Sequence, residues 1–191
     1  YRSLLVCYDP TIIDFPQLEM ELESLRKSSS ARVVTEPRIV HIPTYYGGDM
    51  GPDLAFVAQH NGLDPNEVVR IHSDTNYLVY MLGFSPGFPY LGGMSERIAA
   101  PRLDTPRTII PAGSVGIADH QTGIYPSETP GGWQLIGRTP LTFFDPARQR
   151  PAMVEPGDYI KFVPIQEDEY EIIKRQVGQG TYHVVTEGAI G

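Results

Sequence analysis

Glycine and proline are concentrated between residues 83 and 158, and this concentration constrains the fold more than any other feature of the chain. The segment holds eleven glycines and eleven prolines, whereas average usage would put the two at about 12% of positions. Residues 1–36 hold no glycine and two prolines. Because glycine and proline interrupt helices and long strands, the segment predicts many short strands joined by turns, as in a β-sandwich or barrel.

The local sequence predicts where these elements lie. An aromatic and β-branched run predicts a strand at 76–84, and turn residues separate further strand candidates at 107–110, 114–118, 133–136, 141–144 and 159–163. Helices are predicted at 52–60, stopped by Gly62, and at 166–177. A third helix is predicted after Asp64, where Pro65 and Glu67 supply a first-turn proline and a capping acid.

The first 36 residues have a different pattern. Residues 2–8 predict a strand, and Asp14 followed by Gln17 forms a capping box that predicts a helix. One strand and one helix cannot bury an apolar face from both sides. We therefore expect residues 1–36 to be the C-terminal part of a small α+β domain whose upstream half is missing, and residues 37–191 to form a separate domain.

Composition excludes several classes of protein. The 191 residues are 41% hydrophobic with a formal net charge of −8, which is typical of a globular chain and unfavourable for nonspecific nucleic-acid binding. The sequence shows no apolar run long enough for a membrane span and no signal peptide. The single cysteine, Cys7, excludes an internal disulfide and suits a reducing compartment, so we expect a cytoplasmic protein.

Two motifs resemble catalytic signatures, and the residues argue against both. Residues 83–87 match the nucleophile elbow G-x-S-x-G, but Pro86 has no N–H for an oxyanion hole and no helix-forming sequence follows. Residues 132–139 come within one residue of a phosphate-binding loop, with Arg138 in place of the lysine. Here too the flanking sequence predicts strand rather than helix.

The histidines predict no metal site, because none has a partner at metal-ligand spacing. His72 stands out, since it lies between a capped helix and the strand that leads into the 83–87 loop. It is a candidate for a functional role, with an ordinary hydrogen-bonded histidine as the alternative.

The stronger signal is collective, since several aromatic residues lie in loops stiffened by glycine and proline rather than at strand periodicity. Rigid loops that display aromatics beside a few polar groups suit a concave ligand site. The candidate cleft residues are Phe84, Pro86, Phe88, Tyr90, Arg107, Gln121, Tyr125, Gly131, Gly132, Trp133 and Arg138, with Glu128 beside them. The alternative is that about half of the aromatics fill the ends of a barrel.

Four segments make the chain recognisable. GFSPGFPYLGG (83–93), TPRTIIPAGSVGIA (105–118), QTGIYPSETPGGWQLIGRTPL (121–141) and PGDYIKFVPI (156–165) together resemble the family of 5-oxoprolinase B subunits. That family is also known as allophanate hydrolase subunit 1, carboxyltransferase subdomain C or the KipI group. Asp119 departs from the family pattern, in which a small residue, usually glycine, is expected.

The resemblance implies a fold and a function. The fold is a mainly β, cyclophilin-like β-barrel over 37–191, preceded by part of a small α+β domain. The function is that of one member of an ATP-dependent 5-oxoprolinase complex, a hydrolase that converts 5-oxo-L-proline to L-glutamate using Mg-ATP. It implies C-type and A-type 5-oxoprolinase proteins as partners, and we expect the chain to be inactive alone.

Two alternatives stay open. The chain could be a KipI-like inhibitor that grips a proline-containing segment of a sensor histidine kinase. It could also be the carboxyltransferase half of a biotin-dependent urea carboxylase and allophanate hydrolase system. The chain carries neither a biotin-attachment lysine nor a biotin-carboxylase segment, so this second role would need those domains from another chain.

For the enzyme, residue roles follow from side-chain chemistry. Arg107 and Arg138 are candidates for carboxylate or phosphate contacts, with loop salt bridges as the alternative. His72 and Glu128 are candidates for proton transfer or orientation. The 83–91 and 126–133 loops are expected to border an active site shared with the C-type partner. There Phe88 and Trp133 would be interface anchors, unless Trp133 is buried in the barrel.

Overall fold

A computed structural model of the chain describes residues 5–29 and 37–188. The chain divides into two compact units, residues 1–36 and residues 37–191.

In the first unit one helix, α1 (Phe15–Ser29), accounts for most of the described residues. The Asp14 side chain accepts a hydrogen bond from the Gln17 N–H at 2.8 Å, so the predicted cap is confirmed. Residues 5–8 form no strand, and residues 1–4, which complete the predicted strand at 2–8, lie outside the described residues.

The second unit contains ten strands and three α-helices among its described residues. In chain order they are β1 (Arg38–Tyr46), α2 (Leu54–His60), α3 (Pro65–Ser73), β2 (Asn76–Leu82), β3 (Pro89–Gly92), β4 (Arg107–Ile110), β5 (Ser114–Ala118), β6 (Gln121–Ile124), β7 (Thr129–Gly131), β8 (Gln134–Arg138), β9 (Tyr159–Ile165), α4 (Glu167–Gly178) and β10 (Thr186–Gly188). Of the predicted strands, 107–110 and 114–118 are confirmed as β4 and β5.

One sheet forms most of a barrel. Its strands follow the order β3-β2-β9-β1-β8-β5-β6, with β10 pairing with the start of β1. The two end strands of this order, β3 and β6, lie beside one another, so the sheet is nearly closed. All pairs are antiparallel except β1 with β9, whose register runs from Ile39↔Tyr159 to Tyr45↔Ile165. The prediction of a mainly β, barrel-like fold is confirmed.

A second, two-stranded ribbon consists of β4 and β7. It pairs Arg107 with Gly131 and Ile110 with Thr129, with an irregularity between the two pairs. The ribbon brings the 105–110 segment and the glycine-rich 129–132 segment together at one place on the barrel.

The helices pack on the barrel through short apolar faces. The Asp64 side chain accepts hydrogen bonds from the Asn66 and Glu67 N–H groups, which confirms the predicted start of α3. Val68 and Ile71 of this helix are buried in the main core. Helix α4 contributes Tyr170 and Ile173 to the same core.

The predicted strand at 141–144 is wrong. Phe144 forms only an isolated bridge with Ala152, and residues 139–143 belong to no strand. Pro140 and Pro146 flank the segment, and a proline cannot donate to a strand ladder. The apolar pattern is still satisfied by burial, because Leu141 and Phe143 both point into the core.

Candidate functional site

A cavity of about 450 Å³ opens beside the β4–β7 ribbon. It is lined by Phe84, Phe88, Tyr90, Arg102, Pro106, Gln121, Tyr125, Pro130, Gly131, Gly132 and Trp133. Its size falls in the range of small-molecule sites, and its wall is mostly aromatic and aliphatic with few polar groups.

Phe88 is the centre of the aromatic wall. Its ring makes edge contacts with four others, with centroid distances of 5.5 Å to Phe84, 5.4 Å to Tyr90, 5.7 Å to Tyr125 and 5.6 Å to Trp133. Such edge-to-face pairs add about 0.5–1.5 kcal/mol each beyond the burial of area. The wall is therefore stiff.

The wall is also a small core of its own. Phe88 is 3% exposed and Trp133 8% exposed, and with Ile110, Tyr125 and Leu135 they form a cluster separate from the main core. Phe88 and Trp133 thus leave little surface for a partner to cover, which does not favour them as interface anchors. Each still contributes part of its ring to the cavity.

Two glycines, Gly123 and Gly131, pack tightly behind this wall. A Cβ on Gly123 would lie 3.0 Å from Phe88 Cζ and 3.2 Å from Trp133 Cζ3, and a Cβ on Gly131 would lie 2.7 Å from both Ile110 Cδ1 and the Tyr125 hydroxyl. A side chain at position 131 would therefore displace Ile110 or Tyr125, and one at position 123 would require Phe88 and Trp133 to give by a few tenths of an ångström.

The loop at 83–88 presents Phe84 at the mouth of the cavity. Phe84 is 69% exposed and has a φ of 62°, a conformation that a bulky L-residue rarely adopts. Backbone strain of this kind is concentrated at functional sites. The loop leads into β3 rather than a helix, and the Ser85 hydroxyl has no hydrogen-bond partner among the described residues. The serine-nucleophile interpretation therefore gains no support. The phosphate-loop interpretation of residues 132–139 also gains no support, because Gln134–Arg138 form strand β8 rather than a loop that leads into a helix.

Polar groups in the cavity are few. Arg102 and Gln121 line it, and Arg102 pairs with Asp119 through Nε and Oδ2 at 3.5 Å. Burial raises the pKa of the Tyr125 hydroxyl to about 12, although Arg102 and Arg107 act in the opposite direction. Tyr125 therefore stays neutral and able to donate a hydrogen bond at physiological pH.

Arg107 is engaged behind the cavity rather than in it. Its guanidinium donates to Asp53 Oδ1 at 2.7 Å and to the Trp133 carbonyl at 3.3 Å. The other Asp53 oxygen accepts from the Leu135 N–H at 2.6 Å. This favours the loop salt bridge that was the alternative for Arg107, and it fixes the segment that carries Trp133.

Arg138 also does not line the cavity. It lies at the end of β8, pairing with Tyr45 of β1 and Ser114 of β5. Its guanidinium contacts Tyr170 of α4, and its Nε has no hydrogen-bond partner among the described residues.

The two candidates for proton transfer have very different surroundings. His72 is completely buried, with Nδ1 2.7 Å from the Tyr46 hydroxyl and Nε2 2.8 Å from the Thr122 hydroxyl. Burial lowers the pKa of His72 to about 3, so the ring is neutral near pH 7. Glu128 is exposed, in the loop before β7, and neither residue lines the cavity.

Of the eleven candidate cleft residues, the structure brings eight to this cavity, while Arg107, Arg138 and Pro86 lie elsewhere. Pro86 lies with Leu82–Gly87 along a shallow depression outside the cavity. Sequence reasoning missed Arg102, Pro106 and Pro130. The signal for Arg102 was its place in PRLDTPR (101–107), a charged segment with two prolines that overlaps the segment at 105–118.

Two kinds of feature were not found among the described residues, a metal-ligand cluster and a membrane-spanning helix. No group of three or more histidine, cysteine, aspartate or glutamate side chains in 5–29 and 37–188 could hold a metal ion. Within the same ranges, every helix is too short or too polar to cross a lipid bilayer.

Comparison with known proteins gives consistent results. The family described as carboxyltransferase domain, subdomain C and D, matches residues 1–154. The chain is 50% identical over 186 residues to the B subunit of 5-oxoprolinase from Bacillus subtilis, which covers 92% of this chain and 78% of that protein.

Two solved structures extend the comparison. A conserved uncharacterized protein of Pyrococcus horikoshii is 52% identical with a TM-score of 0.68, over 85% of this chain and 74% of its own. Urea carboxylase of Kluyveromyces lactis is 23% identical with a TM-score of 0.70, over 94% of this chain and 19% of its own. The latter likeness shows the fold alone.

Proposed function

The chain belongs to the carboxyltransferase domain family, subdomain C and D, and from this premise we propose that it is the B subunit of a 5-oxoprolinase. The observation that carries the proposal is the likeness to the Bacillus subtilis protein, which extends over most of both chains. The reaction would open the lactam of 5-oxo-L-proline to give L-glutamate.

The residues of the cavity suit part of this chemistry. A lactam is a stable amide, so its hydrolysis needs an activated carbonyl and groups that stabilise the charge that develops on its oxygen. The cavity supplies an apolar wall, one guanidinium, the Gln121 amide and the neutral Tyr125 hydroxyl. Such a set binds and orients a small ring, but it does not form a nucleophile with an adjacent base. We infer that a partner protein completes the catalytic set.

ATP would supply the activation of the carbonyl in such an enzyme, and the described residues do not fit it. Arg102 is the one charged residue that lines the cavity, and no carboxylate among the described residues lines it to hold Mg²⁺. The glycine-rich segment that comes near a phosphate-loop sequence is strand β8. We therefore assign Mg-ATP to a partner protein.

The letter in the name of the Bacillus subtilis relative implies further subunits, and we propose C-type and A-type 5-oxoprolinase proteins as the partners of this chain. The loop at 83–88 is the best-placed contact, because Phe84 is largely exposed at the cavity mouth. The loop at 126–133 contributes Pro130, Gly131, Gly132 and Trp133 to the lining of the same cavity and carries Glu128. Both loops would then border the shared active site.

Reconstitution tests the proposed function. The chain, its two proposed partners and all combinations of the three are purified, and ATP-dependent formation of L-glutamate from 5-oxo-L-proline is measured. We expect activity only when all three proteins are present. Activity of this chain alone, or equal activity of the two partners without it, would contradict the proposal. Unchanged autophosphorylation of candidate sensor kinases at saturating chain would separately remove the inhibitor alternative.

A further inference from the structure

Arg102 is the one charged residue among the described residues that line the cavity. Tyr125 also lines the cavity, and the charge of Arg102 acts on the Tyr125 hydroxyl. A guanidinium presented beside a hydroxyl donor is suited to a carboxylate. The aromatic wall formed by Phe88 and Trp133 is suited to a small ring.

The segment that carries Arg102 is held in place although it belongs to no helix or strand. Its backbone makes three hydrogen bonds to distant parts of the barrel: the Asp119 N–H to the Ala100 carbonyl at 2.7 Å, Gln134 Nε2 to the Pro101 carbonyl at 2.8 Å, and the Leu103 N–H to the Gly132 carbonyl at 2.7 Å. Arg102 therefore extends from a fixed backbone, and little ordering of the main chain remains to oppose binding.

Asp119 supplies an internal carboxylate to this arginine. It is the first residue of the two-residue turn between β5 and β6, with a φ of 52° that favours glycine. Its Oδ2 lies 3.5 Å from Arg102 Nε, and both side chains are more than half exposed. An exposed pair of this kind is weak, so a ligand carboxylate competes with it easily.

We propose that this cavity binds a small carboxylate-bearing ring compound, with Arg102 as the carboxylate-binding residue and Asp119 as the internal carboxylate that the ligand displaces. The inference rests on the proposed function for the identity of that compound, 5-oxo-L-proline. The lactam ring lies against Phe88 and Trp133, and its amide group is within the reach of Gln121. The cavity holds roughly fifteen waters at about 30 Å³ each. Because 5-oxo-L-proline is much smaller than this volume, room is left for groups from a partner protein.

The chain carries its own reporter of binding. Trp133 is its one tryptophan and lines the cavity, so a ligand beside it changes the fluorescence of the chain. Titration with 5-oxo-L-proline is compared with 2-pyrrolidinone, which has the same lactam ring without the carboxylate. We expect the acid to bind at least tenfold more tightly, because charge-assisted hydrogen bonds contribute about 10- to 100-fold in affinity.

Three variants separate the roles. Arg102→Gln should weaken binding of the acid at least tenfold and leave 2-pyrrolidinone unchanged. Asp119→Gly and Asp119→Asn should tighten binding of the acid by up to about fivefold, and both residues tolerate the positive φ. Arg97→Gln is the matched control, since Arg97 is equally exposed and pairs with Glu67 rather than with any residue of the cavity.

The same variants are then measured in the reconstituted three-protein enzyme. We expect Arg102→Gln to raise KM for 5-oxo-L-proline at least tenfold with a much smaller change in kcat. An unchanged KM, or equal binding of the acid and the uncharged lactam, overturns the inference while leaving the proposed function intact. If the wild-type enzyme makes no glutamate, the proposed function fails, and the fluorescence titration still tests the cavity by itself.

Discussion

His72 and Thr122 are joined by a hydrogen bond of 2.8 Å between Nε2 and Oγ1, although fifty residues separate them in the chain. The Thr122 hydroxyl has a single hydrogen, which it donates to the Gly116 carbonyl at 3.0 Å. It must therefore accept from His72, which places the proton on Nε2 and leaves Nδ1 to accept from the Tyr46 hydroxyl. His72 thus connects α3 with β1 and β6, and Thr122 extends the connection to β5.

The pH dependence of stability follows from this arrangement. His72 has a pKa of about 3 in the folded chain, below the ordinary value of 6.5. The unfolded chain binds this proton first, so the stabilisation is fully present above pH 6.5 and is lost as the pH falls from 6.5 towards 3. We expect His72 to account for about 2 kcal/mol of lost unfolding free energy between pH 8 and pH 5, measured by urea denaturation.

Two variants isolate that contribution. His72→Phe keeps a ring against Phe162 but loses the hydrogen bonds of the imidazole, so its free energy of unfolding should be lower by about 2 kcal/mol at pH 8. Because phenylalanine cannot titrate, the stability of this variant should fall less on acidification. His183→Gln, at an exposed histidine, is the matched control. A wild-type slope in His72→Phe would show that other groups cause the acid lability.

The Asp53–Arg107 ion pair should stabilise the loop that carries Trp133. Asp53→Ala removes the partner of the guanidinium and of the Leu135 N–H together. We expect a loss of about 2 kcal/mol in the free energy of unfolding, since partly buried donors are left unsatisfied. Glu23→Ala, at an exposed helical pair, is the control and should change stability by less than about 0.5 kcal/mol. Equal effects would mean that the Asp53 contacts contribute little.

Trp133→Ala should lower the melting temperature by many degrees. The ring is 8% exposed and contacts Phe88 and Tyr125, and truncating a buried tryptophan costs about 3–5 kcal/mol. Differential scanning calorimetry measures the change. An unchanged melting temperature with lost partner binding would instead restore Trp133 as an interface anchor.

Phe84 should behave in the opposite way. Phe84→Gly relieves the positive φ and removes a largely exposed ring, so we expect stability within about 1 kcal/mol of wild type. Assembly with the partner proteins, measured by isothermal titration calorimetry, should be weakened at least tenfold. Wild-type affinity would show that the cavity mouth is not part of the interface.

Glu128 remains a candidate for proton transfer on the 126–133 loop. Because the residue is exposed, Glu128→Gln should leave the melting temperature unchanged. A proton-transfer role predicts a fall in kcat of the assembled enzyme by about 100-fold or more. A kcat equal to that of wild type would remove the role.

Local signals in the sequence predicted local structure well. The caps at Asp14 and Asp64 are confirmed because each depends on residues within three positions. Strand β1 was missed, since Pro43 and Thr44 interrupt its apolar pattern and its pairing partners lie far along the chain.

The site was predicted less completely because its contacts are not local. Arg107 was assigned to the cleft, yet its partner Asp53 lies 54 residues away, and nothing near Arg107 in the sequence indicates it. Arg102 and Asp119 likewise come together only through the backbone bonds of the closed barrel. The aromatic wall could be predicted because its loops carry their own glycine and proline signal.

The parallel pairing of β1 with β9 has a consequence for synthesis of the chain. Ile39 of β1 pairs with Tyr159 of β9, which is made much later in translation. At about 5–20 residues per second, a ribosome needs roughly 6–25 s to reach Tyr159 after it has made Ile39. Strands β8 and β10, which complete the other edge of β1, also come late. Until β8 has been made, both edges of β1 are unpaired and open to intermolecular association. The barrel therefore cannot close around β1 until the C-terminal strands of the chain have been made.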